Sequence, residues 1–503
     1  MDLFRTKSIE QSIRDTEDPR HRLRRSLGAL DLTIFGVGVI IGTGLFVLTG
    51  RVARENAGPA VALAFIIAAV ACGLAALCYA EFASTLPVAG SAYTFAYATL
   101  GEFPAWVIGW DLMLELSLAA AVVAVGWSGY AVSLLHTIGI DLPPAIAGEG
   151  GVVNVPAVLV VLLLTAVLVA GIRISARVNL IMVIIKLAVI LLVLVAGVAF
   201  IDPANYRPFI PPPVHTPQVE GVSVPLIQVL FGVTPVAFGV FGVFSAAAIV
   251  FFAYIGFDVV ATAAEETRNP ARDLPIGIIG SLGLCTLLYV LVSLVLVGMQ
   301  PYHELSEAAP LADAFRAVGM PWIASLISIG VIAGLTTVIL ILMLGQSRVF
   351  FAMSRDNLLP PALAEVHPRF RTPYRVTLVI GLTTAVLAGL IPLGALAELV
   401  NIGTLFAFVV VSAGVIILRR TRPDLRRTFR VPWVPVLPLL SVLSCVYLML
   451  NLPVDTWLRF AVWMAIGVVL YWLYGSRRSR VARSENGPAA EPAGSAPEPP
   501  VRP

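Results

Sequence analysis

Apolar residues in this chain come in long blocks, each closed by a short polar stretch. A helix needs roughly 20 apolar residues to cross the hydrocarbon core of a bilayer. Twelve segments meet that test: 28–50, 59–86, 104–135, 155–172, 178–201, 238–265, 275–299, 321–353, 374–391, 394–418, 435–452 and 457–475. Residues 1–27 are polar and lack the apolar core of a signal peptide, so they read as a cytoplasmic tail. The stretch from 476 to 503 is rich in Pro, Ala, Glu and Arg and reads as a disordered cytoplasmic tail. Between segments 5 and 6, residues 202–237 contain Pro203, Pro208, Pro211, Pro212, Pro213, Pro217 and Pro225, which predicts an extended extracellular loop. The expected divisions are therefore 28–201 (segments 1–5), 238–418 (segments 6–10), a basic loop at 419–434, and 435–475 (segments 11 and 12).

Composition sharpens this reading. Of 503 residues, 58% are hydrophobic and 13% charged, against roughly a quarter charged in soluble domains. The mean hydropathy is +0.93. These values exclude a secreted disulfide scaffold, a nucleic-acid-binding protein and a cytosolic enzyme. Cys72, Cys78, Cys285 and Cys445 all fall inside apolar segments without CxxC spacing, so no metal site is expected. The five histidines lie outside or at the edges of the segments.

Lysine and arginine set the orientation. With the N-terminus in the cytoplasm, cytoplasmic stretches and segment ends carry 27 basic residues and external ones 5. That bias predicts twelve transmembrane helices with both termini cytoplasmic, in the cytoplasmic membrane of the cell.

Two segments carry glycine where a continuous helix would not. Segment 1 reads Gly36-Val-Gly38-Val-Ile-Ile-Gly42-Thr43-Gly44, and each glycine costs ~1 kcal/mol relative to alanine in a helix interior. Two readings fit: close packing through a Gly38/Gly42 pair, or a discontinuous helix whose free N–H groups and positive dipole end bind an anion at mid-membrane. Segment 6 reads Phe251-Phe252-Ala253-Tyr254-Ile255-Gly256-Phe257-Asp258. It lies five segments later, as an inverted five-plus-five repeat requires.

Arginine supplies 31 of the 33 basic residues, yet Lys186 lies inside segment 5. It is nine residues past Arg177, ~13.5 Å along a helix, too deep for its stem to reach the interface. By the same rise Asp258 and Glu115 come out at ~15 and ~16 Å, near the middle of a ~30 Å core. Equal depth is necessary for these charges to meet, and it is satisfied. Asp111 is expected nearer the cytoplasmic interface, and Glu265 and Glu266 in a solvated network beside Arg268 and Arg272. Thr336 and Thr337 follow Gly334 in segment 8. Their hydroxyls either bond back to their own helix or face a cation beside segment 1.

Gly38 to Phe46 (GVIIGTGLF), Phe252 to Ile278 (FAYIGFDVVATAAEETRNPARDLPIGI) and Gly345 to Pro360 (GQSRVFFAMSRDNLLP) resemble the cationic amino acid transporter (CAT) family of the amino acid–polyamine–organocation (APC) superfamily. The resemblance covers roughly 22–475. It implies an all-α polytopic membrane protein with the LeuT-like fold: a five-plus-five inverted repeat, discontinuous helices 1 and 6, and two C-terminal helices. It implies substrate binding by Ile40, Ile41, Gly42, Thr43 and Gly44 with Phe252, Ala253 and Ile255. The glycine–threonine–glycine break would take the carboxylate, and carbonyls at Ile40, Phe252, Ala253 and Ile255 the α-ammonium. Lys186 matches the lysine that replaces sodium in proton-coupled members, and Asp258 the acid after the second break. Glu115, Thr336 and Thr337 complete the proposed coupling set. No acidic side-chain subsite is assigned.

The expected function is secondary active transport of free L-amino acids, of cationic or broad specificity, by proton symport. An amino acid or polyamine exchanger on the same fold is the alternative, and a sensor that binds without transporting is a third reading. No nucleophile–base pair suggests an enzyme. No cofactor beyond the coupling proton is expected, and no nucleic-acid partner. The lipid bilayer is the surrounding partner, around a monomer with a small accessory membrane subunit as an open alternative.

Overall fold

The computed structural model describes residues 27–86, 91–146, 151–171, 176–215, 223–232, 236–365, 367–368, 370, 372–425 and 427–479. The two tails, up to residue 26 and from 480, lie outside the described residues, as do 87–90, 147–150, 172–175, 216–222 and 233–235. The described chain is almost wholly helical. Strand is confined to one two-residue pair, Val214–His215 with Val236–Ala237.

Eight helices are long and apolar enough to cross a membrane: Gly44–Thr85, Glu102–Thr137, Val178–Phe200, Gly239–Ala261, Pro270–Met299, Pro321–Arg355, Leu393–Thr421 and Val454–Gly475. Four shorter apolar helices accompany them: Ala29–Ile40, Val155–Val169, Tyr374–Leu390 and Val436–Leu450. Each of the twelve segments read from the sequence coincides with one of these, in one or two pieces. Twelve segments give eight long helices because Gly44–Thr85 joins the second half of segment 1 to segment 2, and segments 4, 9 and 11 form helices of 15 to 17 residues. The course of Gly44–Thr85 turns at Gly58, whose φ of +58° is followed by Pro59. A side chain at Gly58 would be strained by that conformation and would also meet Pro211.

Starts are written in the sequence. Asn154 opens Val155–Val169: its side chain accepts from the Ala157 N–H at 3.1 Å and from the Ser128 hydroxyl at 2.6 Å. Proline stands in the first turn of Pro270–Met299, Pro310–Ala317 and Pro321–Arg355, where its missing N–H costs nothing. The loop expected to be extended is partly structured, with a 3-10 turn at Pro203–Tyr206, the strand pair, and a short helix Leu226–Phe231 that ends on Gly232 at φ +63°.

The packing follows the halves of the sequence. Segment 2 lies on segment 7, segment 3 on segment 8, and segment 4 on segment 9, while segments 1 and 6 meet at their breaks. Segment 5 packs against 8, 7 and 1, and segment 10 against 3, 11 and 2. Small residues allow the close approaches: a Cβ on Gly277 would stand 2.6 Å from Cβ of Leu32.

Candidate functional site

The two glycine-rich stretches are breaks in helices. Ala29–Ile40 ends as Ile41 turns extended (ψ 100°), and helix resumes at Thr43 and Gly44. In segment 6, Gly239–Val250 tightens into a 3-10 turn, Phe251–Tyr254; Ile255 is extended (ψ 136°) and Gly256 has φ +120°. Glycine is required at 256 twice over, by that φ and because a Cβ would stand 2.7 Å from Val39 Cγ1. The breaks face each other: a Cβ on Gly44 would lie 2.5 Å from Cβ of Ala253.

A helix that restarts at mid-depth has N–H groups with no partner a turn before them. Gly42, Thr43 and Gly44 supply these groups. Thr43 is fully buried, its Oγ1 has no hydrogen-bond partner among the described residues, and it packs toward Gly126 of segment 3. On the opposite wall, the Tyr289 hydroxyl lies 2.8 Å from the carbonyl oxygens of both Ile40 and Ala253. Sequence reasoning missed Tyr289. Its signal was a tyrosine inside an apolar segment, where a hydroxyl must find a partner. Phe252 accepts from the Ile255 N–H at 3.1 Å across the second break.

Lys186 is buried, and its Nζ donates to the Gly38 carbonyl at 2.6 Å. Its stem lies against Gly334, where a Cβ would stand 2.8 Å from Cγ and 2.9 Å from Cε. Lys186 thus sits between the inner half of segment 1 and segment 8. The two threonines are turned elsewhere. Thr336 donates to Ile332 at 2.8 Å and accepts from Trp127 Nε1 at 3.0 Å, and Thr337 donates to Gly334 at 2.7 Å. Of the two readings of these hydroxyls, bonding within their own helix is the one seen.

Asp258 is buried at the start of the inner half-helix, and its Oδ1 accepts from the Gly256 N–H at 3.2 Å. An acid is favourable there, at the positive end of a helix. Glu115 is buried within electrostatic reach of Asp258, with the Thr404 hydroxyl beside it. Asp111, expected nearer the cytoplasmic interface, is fully buried and faces Gly403 of segment 10. Depth along one helix could not reveal that segments 10 and 12 cover this level. Glu266 reaches Arg348 at 3.9 Å; the Glu265 side chain lies outside the described residues. Among the described residues no group of three or more His, Cys, Asp or Glu is placed to hold a metal ion.

The start of segment 1 is tied to the end of segment 6 by backbone. Leu27 and Thr267 form a parallel bridge, with Leu27 N–H donating to Glu266 and Arg268 N–H to Leu27. Nearby, buried Glu81 of segment 2 accepts two bonds from Arg419 and one from the Val431 N–H, clasping segment 2 to the loop after segment 10.

The sequence model of the amino acid permease family matches residues 27–472. A branched-chain amino acid permease, BcaP, of Bacillus subtilis is 48% identical over 95% of this chain and 99% of its own length. A methylthioribose transporter of the same organism is 46% identical over 95% of this chain and 98% of its own. Vacuolar cationic amino acid transporter 4 of Arabidopsis thaliana is 38% identical over 84% and 68%. The motifs that resembled cationic amino acid transporters thus belong to a kinship along nearly the whole chain: it is a multi-pass membrane protein of the amino acid permease family.

Proposed function

We propose that this protein carries free L-α-amino acids with uncharged side chains into the cell together with protons, by alternating access across a LeuT-like five-plus-five repeat. The observation that carries the reading is the buried, unpartnered Thr43 hydroxyl at the head of a restarted helix. A carboxylate there would accept from that hydroxyl and from backbone N–H groups at Gly42 to Gly44, aided by the helix dipole. The α-ammonium would be received by the carbonyls of Ile40, Phe252, Ala253 and Ile255, two of which lie 2.8 Å from the Tyr289 hydroxyl. The packing of segments 2, 3 and 4 on 7, 8 and 9 supports the inverted repeat.

Lys186 supplies a fixed positive charge between segments 1, 5 and 8, so a sodium ion there would be repelled. When protonated it ties segment 5 to segment 1 through Gly38; loss of its proton releases that tie. Proton and substrate then bias one two-state element. Val338 lies beside Gly42, an apolar contact that favours a neutral side chain, as does the likeness to a branched-chain permease. Both termini are assigned to the cytoplasm, on the basic bias of the loops.

A second reading follows from the methylthioribose transporter: that substrate has a thioether but no carboxylate, and Thr43 would then meet a sugar hydroxyl. Uptake into proteoliposomes under an imposed pH gradient, without sodium, tests both. Labelled leucine should accumulate, and excess arginine or methylthioribose should compete weakly. Accumulation that persists after the pH gradient is collapsed, or that requires sodium, would exclude proton coupling. Strong competition by leucine amide would exclude carboxylate binding at segment 1.

A further inference from the structure

Asp111 is a fully buried acid, and among the described residues neither carboxyl oxygen has a hydrogen-bond partner. One helical turn on, Glu115 is also buried, and its Oε2 is likewise unpartnered. Residues four apart share a helix face, so both acids open into the same space between segments 3 and 10. Segment 10 meets them with Gly403, where a Cβ would stand 2.8 Å from Oδ1 of Asp111, and with Thr404 beside Glu115. Segment 2 contributes Tyr79 within electrostatic reach of Asp111, Glu115 and Asp258, and segment 6 contributes Asp258. Segment 12 covers this level of segment 3, with Trp463 stacked on Trp110 at 4.4 Å between ring centroids. Among the described residues no Lys, Arg or His pairs with Asp111 or Glu115.

Two carboxylates a turn apart, away from water and without a cation, cannot both be ionised. We propose that Asp111 holds a proton shared with Glu115, and that this acid pair is a second proton site of the carrier, separate from Lys186. The pair carries one negative charge with a single shared proton and none with two. Within the pair an O–H bond at Asp111 breaks as one forms at Glu115, and the negative charge moves the opposite way. No co-reactant is needed. The use of this proton in transport rests on the proton-coupled reading given above; its presence on Asp111 does not.

Two measurements on the full-length protein separate those statements. Infrared difference spectra across a pH titration should show the carbonyl band of a neutral carboxylic acid at neutral pH, shifted in deuterium oxide. Asp111→Asn, which keeps the shape but cannot hold a titrating proton, should remove part of that band, and Glu115→Gln should shift what remains. Superimposable spectra for wild type and Asp111→Asn would overturn the proposal. In proteoliposomes, the ratio of pH-driven accumulation to counterflow should fall about tenfold or more in Asp111→Asn. An unchanged ratio, or equal loss of both activities that Asp111→Glu does not restore, would overturn a role in coupling. Should the wild type move no protons while the infrared band persists, the coupling reading fails and the proton on Asp111 stands.

Discussion

Lys186 donates from Nζ to the Gly38 carbonyl across 2.6 Å, joining segment 5 to the inner half of segment 1 less than one turn before its break. A charge-assisted bond of this length is a strong one. It is also the only hydrogen bond seen for this buried ammonium among the described residues, so removing the charge would weaken the side-chain tie to segment 1.

Lys186→Ala is therefore expected to abolish pH-driven accumulation while counterflow survives. Lys186→Arg should fail as well, because a guanidinium keeps its charge and needs more width than the Gly334 contact leaves. Uptake and counterflow measured in the same proteoliposomes check this. Concentrative uptake by Lys186→Ala at the wild-type rate would move the coupling role to Asp258 and Glu115.

The space for the lysine stem is made by Gly334. Gly334→Ala would put a methyl 2.8 Å from Cγ and 2.9 Å from Cε of Lys186. Overpacking of this kind costs ~1–3 kcal/mol, and the stem can relieve it only by losing Gly38. Thermal unfolding should show a loss for Gly334→Ala, together with impaired accumulation. Gly283→Ala is the control: its Cβ meets nothing within 4 Å, so replacing a helical glycine there should gain roughly 0.5–1 kcal/mol. Equal stability of the two variants would contradict the packing argument.

Thr43 tests binding without stability. Its Oγ1 bonds to nothing among the described residues, so Thr43→Val removes no internal hydrogen bond and nearly preserves shape. Melting temperature without substrate should stay close to wild type. Substrate affinity should fall by ~1–3 kcal/mol, the usual cost of deleting a hydroxyl that bonds a charged group. Calorimetric titration with leucine reads both outcomes. A large loss of stability with unchanged affinity would make the hydroxyl structural.

Much of this was legible in the chain because a bilayer leaves few options. Apolar length predicts a helix, and glycine or an acid at mid-depth is costly enough to mark a site. The breaks at Gly42 and Gly256 and the depth of Lys186 could be read that way. Partners could not, since period and depth give no rotation about a helix axis. So Tyr289 went unseen, Thr336 and Thr337 stood open between two readings, and the burial of Asp111 did not show. The count of twelve against eight long helices has simpler causes: one turn at Gly58 leaves part of segment 1 and segment 2 in a single helical run, and segments 4, 9 and 11 form helices of 15 to 17 residues.

Tyr289 offers a test of where the α-ammonium binds. Its hydroxyl is 2.8 Å from the Ile40 carbonyl on segment 1 and 2.8 Å from the Ala253 carbonyl on segment 6. A phenol has one proton to donate, so it satisfies one carbonyl at a time while holding both breaks together. Tyr289→Phe keeps the ring contacts with Tyr254 at 5.3 Å and Phe65 at 5.5 Å and removes only that bridge. Without substrate, the two buried carbonyls lose the single donor they share, and stability should fall by ~1–3 kcal/mol. With leucine bound, an α-ammonium would supply the donors, so most of that loss should be recovered. The thermal shift produced by leucine should therefore be larger in Tyr289→Phe than in wild type. An equal loss with and without leucine would mean that the hydroxyl stays on both carbonyls throughout, and that the α-ammonium binds elsewhere.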